Sequence, residues 1–278
     1  MSKKVLITGG CGFIGTNLRR QINCTVIDNL SSPAIKDNAI VLDIRDHEMI
    51  DFVEQADVVV HLAAYTSVIQ SMTYLLECWD TNVNGTQNIL EACRKFNKRF
   101  ILASSNAAGD PISPYGASKA ACEAMCIAYN SSYRTSTVCL RFSNVYGKFS
   151  QNKQSIIPLS VRKIIAGEPL IVYGSGEQTR DFVHVLDVCQ AIRLCIDNEA
   201  TGIYQIGSGI EISINELMGT FKRVHDKPIE IVYKQSREGE IYRNYSNIEK
   251  ARHELGYEPE VELEDGIGEL LRSVKSDK

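Results

Sequence analysis

The residues of this chain best suited to chemistry lie in one short run, SSNAAGDPISPYGASK, residues 104–119. Tyr115 and Lys119 stand four positions apart, and Ser113-Pro114 before them reads as a helix start: a capping hydroxyl, then a residue whose φ is already helical. On such a helix the phenol and the ammonium share one face. An unperturbed tyrosine titrates near 10 and is no base at neutral pH. Lowering it by about 3 units takes about 4 kcal/mol of preferential phenolate stabilisation, within the reach of a close ammonium and a bound cationic ring together. The phenolate could then take a hydroxyl proton while hydride leaves the same carbon. Ser105 could share that proton or hold the substrate oxygen; taken alone, it reads rather as a cap of the loop it opens.

A hydride needs an acceptor, and the N-terminal segment offers a place for one. In ITGGCGFIG, Gly9, Gly12 and Gly15 follow an apolar strand and enter a helix. Glycine there serves either a tight turn of positive φ or the close approach of backbone to a pyrophosphate at a helix N-terminus. Asp28 closes the second apolar run, where a carboxylate accepts both ribose hydroxyls of an adenosine and repels a 2'-phosphate, so NAD is expected rather than NADP. Asp43, in LDIRD, has two roles open to it: a hydrogen bond to an adenine amino group, or the cap of the next helix.

The elements that must position these residues are legible as alternation. KVLITG, CTVID, AIVLD, DVVVHLA, RFILAS and STVCLRF are short, unbroken apolar runs, the form of strands covered on both faces. Between them, NVNGTQNILEACRKF and YGASKAACEAMCIAYN carry apolar residues at helical spacing. The fold expected is a doubly wound α/β parallel sheet of the Rossmann type. After Gly147 the chain turns polar and its elements shorten, the composition of a smaller α+β cap domain, while DFVHVLDVCQAIRLCI looks like a return to the main sheet. The expected division is residues 1–149 plus 181–201 as an NAD-binding domain, and 150–180 plus 202–278 as a substrate-binding cap.

Composition narrows the setting. The chain has 278 residues and a formal net charge of -4, without a basic run, which argues against a grip on nucleic acid and for a small-molecule partner. Nine cysteines, with no Cys-x-x-Cys pair, sit mostly in apolar segments and read as reduced thiols of a cytoplasmic protein. There is neither a signal-peptide core nor an apolar run of membrane length, so no membrane partner is expected. No metal site is expected.

In TGGCGFIG, DNLSS, HLAA, NVNGT, YGASK, RFSNVYG, GSGEQTRDFVHVLDV and REGE, taken in order along nearly the whole chain, the sequence resembles the extended short-chain dehydrogenase/reductases of the NAD-dependent nucleotide-sugar epimerase/dehydratase branch. The resemblance implies that Tyr115, Lys119 and Ser105 are catalytic. It implies a cofactor site formed by Gly9, Gly12, Phe13, Ile14, Gly15, Asp28, Asn29, Ser31, Asp43, Ile44, Leu62, Ala63, Ala64, Asn82 and Ser143, with Tyr115 and Lys119. Arg180 and Arg237 match arginines that hold a nucleotide diphosphate, a task suited to a planar multi-donor cation; either could instead form an interdomain salt bridge. Asn144, Ser155, Ile156, Val172, Tyr173 and Glu240 match positions near the sugar or nucleoside, and Asn244 a position that sets room beside the C2 substituent.

Dehydratases of the family usually carry a carboxylate just after the catalytic Ser or Thr, and decarboxylating relatives a nearby Glu; here Ser105 is followed by NAAG, with no acid before Asp110. The resemblance therefore implies a UDP-hexose 4-epimerase working through a transient 4-keto sugar. The alternatives are a reductase or dehydratase of nucleotide sugars, or a non-catalytic NAD-binding regulator. A homodimer packed through the helices beginning near Thr81 and Tyr115 is also implied. The chain departs from its relatives in the short link between Ser105 and Tyr115, which is expected to leave the sugar site more open.

Overall fold

The first and fourth strands, Val5–Thr8 and Val58–His61, are buried at every position, which is why they read as unbroken apolar runs: both faces of their sheet are covered. The computed structural model describes residues 3–32, 34–236 and 242–276. In chain order its elements are β1 (Val5–Thr8), α1 (Phe13–Leu18), β2 (Cys24–Asp28), β3 (Ile40–Val41), α2 (Met49–Gln55), β4 (Val58–His61), α3 (Val68–Thr73), α4 (Leu75–Trp79), α5 (Gly85–Lys95), β5 (Arg99–Ser105), α6 (Pro114–Tyr133) and β6 (Thr137–Phe142). There follow β7 (Asn144–Tyr146), α7 (Ile156–Ala166), β8 (Leu170–Tyr173), β9 (Thr179–Arg180), β10 (Phe182–His184), α8 (Val185–Asp197), β11 (Gly202–Ile206), β12 (Ile212–Ser213), α9 (Ile214–Val224), β13 (Ile231–Lys234), α10 (Glu249–Leu255) and α11 (Leu263–Ser276).

The expected doubly wound sheet is present. Seven strands lie in the order β11-β6-β5-β4-β1-β2-β3, and the pairs from β6 to β3 are parallel. The chain runs outward from β1 to β3 and then returns to β4 on the other side of β1. In open α/β sheets ligands bind beyond the carboxyl ends of strands at such a reversal. Thr8 and His61 face each other in register at that place.

The chain forms two compact units. The first comprises Met1–Phe142, Cys189–Gln205 and Glu249–Tyr257; the second comprises Ser143–Val188, Ile206–Ile248 and Glu258–Lys278. The first is built on Leu6, Ile27, Val59, Phe100 and Leu102 of the sheet, packed against Ile89 and Leu90 of α5 and Cys122 and Cys126 of α6. The second is built on Tyr146, Val161, Leu170, Phe182, Leu217, Phe221 and Ile267, with two-stranded pairs β10-β7, β12-β9 and β13-β8. These bounds differ from those expected. Residues 181–184 stay with the second unit because β10 pairs in parallel with β7. Residues 249–257 join the first: Tyr204 Oη donates to Glu254 at 2.6 Å and Lys250 Nζ to the Ile203 carbonyl at 3.0 Å.

All nine cysteines are free thiols, eight of them buried. Among the described residues no helix is long and apolar enough to cross a membrane.

Candidate active site

The turn after β1 is shaped around glycine. Gly9 has φ +69°, and a Cβ there would stand 2.5 Å from the Ala63 nitrogen beyond β4; at Gly15 it would stand 2.5 Å from the Gly10 Cα. Gly12, which opens α1, has no side chain to intervene between its backbone and a ligand; a Cβ there would meet only the Gly9 carbonyl, at 3.2 Å. The three glycines thus divide among tight turn, open approach and close packing, a division that suits a pyrophosphate. Asp28, buried at the end of β2, accepts from Cys11 N at 2.9 Å and Leu30 N at 2.8 Å, so its carboxylate is held against the turn with lone pairs left for a ribose.

Asp43 is not the cap of the next helix, since Glu48 occupies that place on α2. It accepts from Arg45 Nε at 2.8 Å and Asn29 Nδ2 at 2.8 Å, and Arg45 holds its carboxyl far below the usual carboxylate range. Arg45 also reaches Asp80 at 2.7 Å, so residues 29, 43, 45 and 80 form one polar string. Ser31 donates its backbone N–H to the Asn29 side chain. Of the other residues expected at the cofactor, Phe13 and Ile14 begin α1, and Leu62, Ala63 and Ala64 follow β4 half-buried. Ile44 is different: its side chain is core, and a Cβ at Gly85 would stand 2.5 Å from its Cδ1.

Asn82 lies in a one-turn widening of the helix, Asp80–Asn84, where α4 passes into α5. Helices frequently widen in this way at functional sites. Its side chain accepts from Tyr65 N at 2.7 Å and donates to Ser118 Oγ at 2.9 Å, pinning the segment after β4 to α6.

The helix carrying the tyrosine begins as its residues dictate. Ser113 Oγ accepts from Gly116 N at 3.1 Å, Pro114 occupies the first turn, and Ser71 of α3 accepts from Tyr115 N at 3.2 Å. Tyr115 and Lys119 are both buried. Burial pushes the Tyr115 phenol up to about 12, and its hydrogen bond with the Ser105 hydroxyl opposes that rise. The acidification required in the ligand-free chain is therefore larger than a start from 10 suggests: reaching neutrality from about 12 takes about 7 kcal/mol. Burial lowers the Lys119 pKa, and its Nζ donates to the Ala103 carbonyl at 2.9 Å. Ser105 Oγ also accepts from Ala107 N at 3.2 Å, so one hydroxyl both caps its turn and meets the phenol. The link to Tyr115 is a short helical turn, Asn106–Ala108, folded onto α6: a Cβ at Gly116 would stand 2.6 Å from the Ala107 carbonyl.

A glycine turn after β1, an acid ending β2 and a tyrosine-lysine helix after β5 can be compared as a set with known proteins. The model of the NAD dependent epimerase/dehydratase family matches residues 5–207. The chain belongs to this family. It is 35% identical over 304 residues to a Methanocaldococcus jannaschii protein named "Putative UDP-glucose 4-epimerase", covering 98% of each chain. It is 32% identical over 315 residues to a UDP-N-acetyl-alpha-D-glucosaminuronate decarboxylase of Bacillus cytotoxicus, again covering 98% of each. Among solved structures, the UDP-N-acetylglucosamine 4-epimerase of Methanobrevibacter ruminantium M1, in complex with UDP-N-acetylmuramic acid, superposes with a TM-score of 0.94 at 28% identity, covering 100% of this chain and 99% of that one. The chain is an enzyme of the NAD-dependent epimerase/dehydratase family, and NAD is its cofactor.

Apart from Ser105, which is in the first unit, the described substrate positions inferred from this family fall in the second, as does Ser143 of the expected cofactor site. Ser143 and Asn144 use their side chains to donate to the Asp181 carbonyl, at 2.7 and 3.0 Å. Ser155 opens α7, exposed, with Ile156 packed on the unit's core. Val172 is fully buried in that core, so its side chain is committed to packing, whereas Tyr173 beside it is half-buried. Arg180 Nη1 donates to the Thr179 carbonyl at 2.7 Å, and Asn244 N donates to the same carbonyl at 3.2 Å. Arg237 and Glu240 lie outside the described residues.

The structure adds residues to which the motifs assigned no role. His61 bridges Thr8 Oγ1 at 2.7 Å and Thr86 Oγ1 at 3.0 Å, joining the ends of β1 and β4 to α5. Burial first, then the Lys119 charge, drop its pKa to about 3, so the ring stays neutral. A histidine inside an otherwise apolar strand was the available signal. Ser71 and Glu123 carried none, because their partners are distant in sequence, and neither LDIRD nor RFSNVYG shows what Arg45 and Arg141 reach across the fold, Asp80 and Glu123.

Proposed function

We propose that this chain is a 4-epimerase of UDP-hexoses, interconverting UDP-glucose and UDP-galactose, or their N-acetyl forms, through a transient 4-keto sugar. What supports this reading is the buried Tyr115, one turn from buried Lys119 on α6 and beside Ser105, whose following turn, Asn106–Ala108, holds no carboxylate. The segment is thus equipped to move one proton at one oxygen, which is what oxidation and re-reduction at a single carbon require. NAD, when bound, supplies reversible hydride acceptance.

Tyr115 takes the C4 hydroxyl proton in the oxidative half and returns it to the same oxygen once the sugar has presented its other face. Ser105 holds that oxygen. Lys119, a buried ammonium one turn along α6, stabilises the phenolate; the rest of the fall from about 12 comes from charge brought in with the ligands. Arg180 and Arg237 would hold the diphosphate, with Asn144, Ser155, Ile156, Val172, Tyr173 and Glu240 near the sugar or nucleoside. Val172 would act through its backbone. Asn244, smaller than a tyrosine, leaves room for an N-acetyl group.

The test is conversion of UDP-galactose and UDP-N-acetylgalactosamine by the purified NAD-loaded protein, followed by separation of the epimers. Net interconversion without NADH consumption supports the reading. Loss of water or carbon dioxide by mass spectrometry, or stoichiometric oxidation of added NADH, would replace it with a dehydratase, decarboxylase or reductase.

We further propose a cytoplasmic homodimer. Its supporting face lies on α3 and α4 rather than at the start of α5: Ile69, Met72, Leu76 and Trp79 are exposed there, with Ile127 and Tyr133 on α6. Leu76, 82% exposed, is the position to test. Leu76→Glu should shift the light-scattering mass from dimer to monomer, and a wild-type mass near 31.0 kDa would refute the dimer.

A further inference from the structure

We infer that Glu123 is a positioning residue for this reaction, its carboxylate fixing Ser105 relative to Tyr115 through Ser104 and Arg141. The inference rests on the catalytic reading given above. Glu123 lies two turns beyond Tyr115 on α6 and is 3% exposed. Three donors converge on it: Ser104 Oγ at 2.6 Å, Arg141 Nε at 2.8 Å and Arg141 Nη2 at 2.6 Å. Ser104 is the residue before Ser105 on β5, and Arg141 is its register partner on β6. One carboxylate of α6 therefore ties the end of β5, from which the catalytic segment departs, to the end of its neighbour β6.

The remaining guanidinium nitrogen extends the link to the turn itself. A Cβ on Gly109 would stand 3.1 Å from Arg141 Nη1, so the guanidinium lies directly against the residue that closes Asn106–Ala108. The fork of Arg141 is a fixed planar geometry, and charge-assisted bonds of this kind restrict angle as well as distance. Glu123 also belongs to the charges that favour the Lys119 ammonium, one turn before it. With so short a link between Ser105 and Tyr115, this buried cluster does the bracing that a longer loop could do for itself.

A purely structural ion pair would make a different prediction, which kinetics can separate. Glu123→Gln and Ser104→Ala are compared with the parent and with Tyr115→Phe as full-length, NAD-loaded proteins acting on UDP-galactose. Misplacement of a reacting group by about 1 Å costs up to about a hundredfold, so kcat should fall about ten- to a hundredfold in Glu123→Gln and about three- to tenfold in Ser104→Ala. KM for the nucleotide sugar and NAD content per chain should stay within about twofold of the parent, because neither contact touches a binding residue. Should Glu123→Gln fail to fold, Ser104→Ala, which leaves the ion pair intact, decides alone. Turnover within about twofold of the parent in the folded variants, beside an inactive Tyr115→Phe, overturns the inference, as does a loss that only tracks the fraction of folded, NAD-loaded protein. Full activity in Tyr115→Phe would instead overturn the catalytic reading itself.

Discussion

Tyr115 and Tyr146 are buried phenols of one chain, one in each unit, and the contrast between them lies in what surrounds the oxygen. Burial raises both pKa values. The Ser105 hydroxyl beside the Tyr115 oxygen favours the anion, and Lys119 stands one turn away on the same helix. The Tyr146 oxygen has no partner among the described residues, and its electrostatic neighbours are Asp187, Glu262, Glu269 and Asp265, all of which oppose ionisation. A Cβ on Gly266 of α11 would come within 2.5 Å of that hydroxyl, and the His184 ring packs edge-on at 5.2 Å. In the proposed reaction the same residue type carries a proton in one unit, whereas in the other it fills space in the core. Burial is common to both; what differs is the set of polar and charged groups around the oxygen.

The largest effect expected from this contrast is on turnover. Tyr115→Phe removes the only proton carrier proposed for C4 and should lower kcat by about a thousandfold or more, within the usual range for loss of a general base, with bound NAD retained. Absorbance of the released cofactor and epimer separation check both halves. Retained turnover would make Tyr115 another core phenol and erase the contrast.

The next effect is on alkaline stability. The folded-state pKa of Tyr115, about 12, exceeds the unfolded value near 10, so its contribution is full below pH 10 and is lost as pH rises through 12. Two units correspond to about 3 kcal/mol. Urea melts of the ligand-free protein between pH 9 and pH 12, read against Tyr115→Phe, should show a shallower alkaline loss in the variant. Parallel curves would mean that the phenol is more solvated than its burial implies.

What could be read in the sequence, and what could not, divides along similar physical lines. Strands β1, β2, β4, β5 and β6 were legible because both of their faces are covered and their residues are largely apolar. The two-residue strands β9 and β12 were not, since their pairing depends on a partner brought in from far along the chain, Arg180 opposite Ile212. The helix start at Ser113-Pro114 was legible because capping is local. The starting acidity of Tyr115 was not, because burial is a property of the whole fold. The motif RFSNVYG marked Tyr146 as readily as it marked Ser143 and Asn144, and TRDF marked Asp181 as readily as Arg180. Yet Asp181 is fully buried, accepts from Ser208 N and Oγ at 2.8 Å each and Gly209 N at 3.2 Å, and holds its own unit together. A motif records constraint; only the surroundings say whether the constraint is chemical or architectural.

Lys119 tests whether charge is what distinguishes Tyr115. An opposite charge nearby shifts an acid by about 1–3 units, so Lys119→Met should lower turnover at neutral pH by about a hundredfold. The sign of the pH dependence follows: without the ammonium the phenolate forms at higher pH, so the variant's rate should continue to climb with pH where the parent's has levelled. A variant profile of parental shape, merely scaled down, would show that the lysine holds a ligand rather than tuning the phenol.

The smallest effect sharpens the contrast from the other side. Tyr146→Phe deletes a hydroxyl that no described group pairs with, and a buried unsatisfied polar group costs about 1–3 kcal/mol. Against that gain stands the small gap left where Gly266 now packs on the oxygen, a loss of a few van der Waals contacts worth about 0.1–0.2 kcal/mol each. The two should leave urea stability at neutral pH unchanged or raised by about 1 kcal/mol, with kcat unaltered. Because four carboxylates surround this position, removing its ionisable group should also spare the protein the last part of its alkaline unfolding. A clear fall in kcat, with stability maintained, would mean that the second phenol takes part in the reaction, and that its acidic surroundings tune it rather than silence it.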